Sequence, residues 1–170
     1  SLGQGEGKTT TALGLSRSFC AAGQGVLLID ADARSAALRN HLDVPSARGF
    51  EQVLSGAVGL ADLTTLVQRD PMSSLSVLVN SGPSALPAQA LFGTLTFAAI
   101  VQGARRSFGM TILDMPSFSW PADSAYILAH VDAVVLVAGW GLAEKDKLEN
   151  MLASIRAGRG AHMPVIHPVL

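Results

Sequence analysis

The sequence predicts an α/β domain with a mostly parallel sheet and helices on both faces, and three observations carry that prediction. Short apolar runs alternate with longer stretches of helical period. A glycine-rich loop at the amino-terminal end opens directly into the first helical stretch. Two of the apolar runs stop on aspartate, which sets carboxylates beyond the carboxyl ends of strands, where ligands of open parallel sheets sit.

The elements follow in order. Residues 9–22 carry Ala12, Leu13, Leu15, Phe19 and Ala22 near helical spacing, and Gly23 and Gly25 end that helix. Residues 26–29 read Val-Leu-Leu-Ile, a buried strand that delivers Asp30 and Asp32. A short helix over 35–42 closes at Asp43-Val44-Pro45, and 49–66 mixes short helical pieces with Gly56 and Gly59. A strand over 75–79 leads into the turn Asn80-Ser81-Gly82-Pro83, and Pro87 opens one long helix reaching about Arg106. The strand 110–113 ends at Asp114-Met115-Pro116. A helix over 122–129, a strand over 133–138, a helix over 142–156 and a strand beginning at 163–166 complete the alternation. No repeat, low-complexity tract or linker divides the chain, so residues 1–170 read as a single nucleotide-binding domain.

Composition narrows the function classes. A chain of 170 residues with 49% hydrophobic and 15% charged residues can bury a sizeable core. Net charge is -1, which leaves no global attraction for nucleic acid. One cysteine, Cys20, excludes an internal disulfide framework. The richest apolar run, 131–143, contains Asp132 and two glycines and suits a buried strand with its exit better than a membrane span.

The loop Gly3-Gln4-Gly5-Glu6-Gly7-Lys8-Thr9-Thr10 has the chemistry of a phosphate cradle. Glycines let backbone amides approach phosphate oxygens, and the helix beginning near Gly7 aims its free amides and dipole at the same anion. Lys8 adds a full charge for the β and γ phosphates, and the Thr9 hydroxyl is placed to ligand Mg²⁺. The strict pattern requires glycine where this chain has Leu2. Such a loop normally follows a buried strand, so the first strand is expected to be missing, the sheet's centre open, and both ends of the chain to be cuts in a longer protein.

Mg²⁺ takes oxygen ligands and keeps several waters, so a threonine hydroxyl with one or two carboxylates is sufficient protein ligation. Thr9, Asp30 and Asp114 are the expected metal ligands, among strand-end carboxylates whose division of roles stays open. A further Asp near the γ phosphate would orient or deprotonate an attacking hydroxyl, which leaves Asp30 and Asp32 open as the base.

Taken together, the segments Gly-Glu-Gly-Lys-Thr-Thr-Thr-Ala (5–12), Val-Leu-Leu-Ile-Asp-Ala-Asp-Ala-Arg (26–34) and Ile-Leu-Asp-Met-Pro (112–116) resemble the bacterial tyrosine kinases of capsule and exopolysaccharide synthesis. These belong to the deviant P-loop group that also holds septum-placing and plasmid-partition ATPases. The resemblance implies a P-loop NTPase-like fold, ATP and Mg²⁺ as cofactors, and catalysis by Lys8, Asp30 and Asp32. It also implies a membrane polysaccharide chain-length or export protein as partner, self-association, and a place at the inner face of the bacterial inner membrane. The partition-type alternative is a nucleotide-gated dimerisation switch. Its loops carry a signature lysine where this chain has Gly3, and the Asp-x-Asp-x-Arg pattern favours the kinase branch. The chain departs from the kinases at Gln4, Leu86 and Ser117, and its one tyrosine is Tyr126 rather than a carboxyl-terminal cluster.

The remaining candidates read as structural. His41, His130, His162 and His167 lack metal-site spacing, Trp120 and Trp140 suit packing, Cys20 suits a small buried apolar position, and Arg105-Arg106 suit an exposed helix end.

Overall fold

The computed structural model describes residues 5–44, 48–117, 121–139, 146, 149–153 and 165–169. Helix α1 (Lys8–Ala21) leads to β1 (Val26–Asp30), α2 (Ala37–Leu42), α3 (Phe50–Leu54), a 3-10 turn (Leu60–Asp62) and α4 (Leu63–Leu66). Strands β2 (Gln68–Arg69) and β3 (Ser76–Leu78) are followed by α5 (Ala88–Phe92), α6 (Leu95–Ser107), β4 (Met110–Asp114), α7 (Pro121–Leu128), β5 (Ala133–Val137) and β6 (Val165–Val169).

The main sheet has the order β2-β3-β1-β4. Strand β1 runs parallel to both neighbours, with Leu28 opposite Val77 on one side and Ile112 on the other. Its five residues are buried, as an apolar run covered on both faces requires. Alternate side chains of β1 feed two cores. Leu27 and Ile29 pack with Phe50, Leu91, Phe97 and Ile100, while Val26 and Leu28 pack with Leu13, Cys20 and Leu38. Helices thus cover both faces, as the alternating pattern predicts.

Three details differ from the sequence reading. The helix expected over 87–106 is two helices, because Thr94 adopts an extended conformation and its hydroxyl accepts from the Phe97 N–H, starting α6 afresh. Strand β2 escaped prediction; it is two residues long and pairs antiparallel with β3 at the sheet's edge. It is fastened to α1 by Arg17, whose Nε and Nη2 donate to the two oxygens of Asp70 at 2.9 and 2.8 Å. The helix expected over 142–156 lies largely outside the described residues, as do Gly3, Gln4, Trp120, Trp140 and His162.

Strands β5 and β6 pair only with each other among the described residues and form a second, parallel sheet. Between β4 and β5 runs a cleft of about 800 Å³ bordered by α1, with Leu113 and Val135 among its lining residues. Residues 110–113 of β4 are only half-buried, in contrast to β1. Two buried hydroxyls that line the cleft, Thr111 Oγ1 and Ser124 Oγ, have no hydrogen-bond partner among the described residues. Among the described residues, β4 pairs with β1 alone and leaves its other edge toward this cleft.

Candidate functional site

The site forms where α1, β1 and β4 meet at the carboxyl ends of the parallel strands. Gly5 and Gly7 both adopt positive φ, at 80° and 84°, and a Cβ on either would meet nothing within 4 Å. The glycines are therefore required by backbone conformation, which strains any L side chain. Gly7 caps α1 without a side-chain hydrogen bond, and its carbonyl accepts the first helical bond from the Thr11 N–H at 2.8 Å. The first-turn amides of a 14-residue helix are thus left free of any side-chain cap. Lys8 and Thr9, the first two residues of that helix, are half-buried.

Parallel pairing of β1 with β4 sets Asp30 beside Asp114 in register, on backbones about 5 Å apart. They are 1% and 3% exposed. Burial is the main reason that both are harder to ionise than an ordinary aspartate. Asp30 is raised further by the charge of Asp114. Asp114 is pushed up to about 6, with its rise opposed by a hydrogen bond from Thr9 and by the charges of Lys8 and His41, and aided by Asp32. Lys8 and Thr9, at the start of α1, thus act on the β4 carboxylate.

Asp32 lies two residues past β1 and is half-buried. Its Oδ1 accepts from the Arg34 N–H at 3.1 Å and its Oδ2 from the Ser35 hydroxyl at 3.1 Å, and its own N–H donates to Asp30 Oδ1 at 3.2 Å. These local bonds fold the segment into a tight turn. Of the residues expected from sequence, the structure brings Lys8, Thr9, Asp30, Asp32 and Asp114 into one electrostatic group, with Gly5, Glu6, Gly7 and Thr10 in the adjoining loop and helix start. Two positions that the sequence reading passed over also belong here. His41 on α2 acts on Asp114 through its charge, and Asn80 donates into the Asp30–Asp32 turn.

A threonine hydroxyl and two adjacent buried carboxyls are the donor set that Mg²⁺ prefers. The carboxyls are reluctant to ionise side by side, and a cation between them would relieve both burial and mutual repulsion. The residues present fit Mg²⁺.

Residues 2–166 match the family model described as the CobQ/CobB/MinD/ParA nucleotide binding domain. The chain is 33% identical over 154 residues to the tyrosine-protein kinase CpsD of Streptococcus pneumoniae serotype 4 (strain TIGR4), covering 88% of this chain and 65% of that protein. It is 24% identical over 151 residues to the succinoglycan biosynthesis transport protein ExoP of Rhizobium meliloti, covering 88% of this chain and 19% of that protein. Among solved structures, the kinase domain of VpsO superposes with a TM-score of 0.83 at 25% identity, over 97% of this chain and 79% of that one. The chain spans just under two thirds of the length of CpsD. No helix among the described residues is long and apolar enough to cross a membrane.

Proposed function

Because this chain belongs to the CobQ/CobB/MinD/ParA nucleotide-binding domain family, we propose that it is the ATP-binding domain of a protein-tyrosine kinase regulating exopolysaccharide or capsule synthesis and export. The observation that carries the reading is the in-register pair Asp30 and Asp114, with Thr9 and Lys8 acting on Asp114 from the start of the helix that a glycine loop with positive φ at Gly5 and Gly7 opens. Likeness to the tyrosine-protein kinase CpsD supports the choice of reaction, and likeness to the succinoglycan transport protein ExoP supports the polysaccharide setting.

In this reading the loop from Gly3 to Thr10 cradles the phosphates of ATP. Lys8 neutralises the β and γ phosphates, and Thr9, Asp30 and Asp114 hold Mg²⁺. When bound, Mg²⁺ supplies charge to the transferring phosphoryl group. A tyrosine hydroxyl oxygen forms the new bond to the γ phosphorus as the bond to the β-γ bridging oxygen breaks and ADP leaves. The phenolic proton passes to a strand-end carboxylate, Asp32 or Asp30. Asp32 is the more accessible of the two, and burial makes the Asp30 carboxyl harder to ionise than an ordinary aspartate. The partner is a membrane polysaccharide chain-length or export protein, or an upstream membrane segment of the same protein. The domain works as a homo-oligomer at the inner face of the membrane, with no nucleic acid.

The test is transfer of radiolabelled γ phosphate from ATP to tyrosine by the full-length protein. Label on tyrosine that disappears in Lys8→Ala supports the reading, with an expected loss of at least about a hundredfold from removal of the phosphate charge. Release of free phosphate with no labelled tyrosine overturns it. One observation favours a second reading in that event: the single tyrosine, Tyr126, is half-buried on α7. The domain would then be a nucleotide-gated dimerisation switch, detected as an ATP-dependent shift to dimer on size-exclusion.

A further inference from the structure

The turn after β1 is gripped by a residue that none of the phosphate- or metal-binding assignments includes. Asn80 lies two residues beyond β3 and is 1% exposed. Its backbone N–H donates to Asp30 Oδ2 at 3.4 Å. Its side-chain amide donates to the carbonyl oxygens of Asp30 at 3.3 Å and Asp32 at 3.4 Å. Each contact is long, yet all three converge on Asp30 and Asp32, the two acidic residues at the carboxyl end of β1. Asparagine is suited to this: one nitrogen carries two N–H donors, whereas an ionised aspartate of the same shape carries none.

Asn80 is itself anchored. The Val79 carbonyl accepts from the Phe50 N–H at 2.9 Å. The Ser81 N–H donates to Glu51 Oε2 at 3.0 Å, and the Ser81 hydroxyl donates to Glu51 Oε1. Arg39 donates to the Ser81 carbonyl. Glu51, buried at 9% exposure, therefore fastens the 79–81 segment to α3. Gly49 makes the approach feasible, since a Cβ there would fall 2.0 Å from Ser81 N and 2.1 Å from Glu51 Oε2.

We propose that Asn80 is a positioning residue that fixes the Asp30–Asp32 turn and so sets the geometry of Mg²⁺ binding, with Glu51 and Ser81 holding Asn80 in place. The inference rests on the reading of Asp30 and Asp114 as Mg²⁺ ligands. It acts through outer-shell hydrogen bonds, which orient ligands that cannot otherwise hold one geometry.

The test is binding of a fluorescent ADP to the full-length protein, with and without Mg²⁺, in wild type, Asn80→Leu and Asn80→Ser. Leucine keeps the branching of asparagine and has no donor; serine is small and keeps one, so it preserves the test if leucine impairs folding. Asn80→Leu is expected to raise the Mg²⁺ concentration for half-maximal effect about tenfold, the lower end of outer-shell losses. Asn80→Ser is expected to shift it less in the same direction, and both variants should hold ADP in the absence of Mg²⁺ as wild type does. Unchanged Mg²⁺ half-saturation in folded variants overturns the inference alone. An equal fall in ADP affinity with and without Mg²⁺, together with a lower melting temperature, also overturns it, because it marks a role in folding only. If wild type binds ADP with no Mg²⁺ dependence, the metal assignment falls and this inference with it. The readout is independent of whether phosphate passes to tyrosine or to water.

Discussion

At the scale of single residues, the Asp30–Asp114 pair ties stability to pH in a direction opposite to that of most surface carboxylates. A carboxyl whose pKa is raised on folding binds its proton more tightly in the native state. Its stabilising contribution is complete below the ordinary aspartate range near 4 and is lost as pH rises through the folded value, about 6 for Asp114. The nucleotide-free protein is therefore expected to melt at a higher temperature at pH 5 than at pH 7.5. Asp114→Asn should raise the melting temperature at pH 7.5 and flatten the dependence, with up to about 3 kcal/mol regained. Thermal melts of both proteins across that range, without Mg²⁺, check this; an unchanged slope in the variant contradicts it. The glycines and the strand-end aspartates were legible here without coordinates, because positive φ demands a particular residue type and apolar runs that stop on aspartate mark strand ends. Asn80 and His41 were not. Their importance comes from where the chain returns in space, and Asn80-Ser81-Gly82-Pro83 reads locally as nothing more than a turn.

At the scale of elements, apolar periodicity located α1, α7 and the buried strands to within a residue or two, since burial on two faces leaves a run such as 26–29 few alternatives. The errors fell where pattern is weak. Residues 87–106 have continuous helical period, and only the extended conformation at Thr94 divides them. Strand β2 is two residues long and exists because β3 offers an edge. That edge is held to α1 by the Arg17–Asp70 pair, in which the carboxylate is fully buried and also accepts from the Ser73 hydroxyl at 2.5 Å. Arg17 keeps the Asp70 carboxyl below the usual range. Arg17→Ala leaves that carboxylate buried and partly unmatched, so a loss of about 1–3 kcal/mol is expected in urea unfolding at pH 7. A loss below about 0.5 kcal/mol would mean that the pair is no more than a surface contact.

At the scale of the molecule, the division into two sheets is the dominant feature. Among the described residues, the cleft beside β4 has a largely apolar lining, two hydroxyls without a hydrogen-bond partner and a strand edge without a partner on each side. These are the conditions that an added parallel strand would satisfy, by completing ladder hydrogen bonds and covering the exposed sides of Leu113 and Val135. A five-residue apolar peptide added in trans is expected to raise the melting temperature by pairing along β4. Each buried leucine or valine side chain would contribute about 1.5–3 kcal/mol. An unchanged melting temperature would show that the cleft does not take a strand.

What the sequence determined by itself was chemical kind and local order: a phosphate loop opening a helix, strands that end in carboxylates, and the alternation that makes a parallel sheet. Those properties are written in residue type and short spacing, which act over a few positions of chain. What only the tertiary structure decided was adjacency between distant segments. It set Asp30 against Asp114, brought Thr9 to the latter, laid Asn80 under the turn and left the cleft between the sheets. Burial, charge coupling and hydrogen bonding depend on distance in space, and no local pattern encodes that distance.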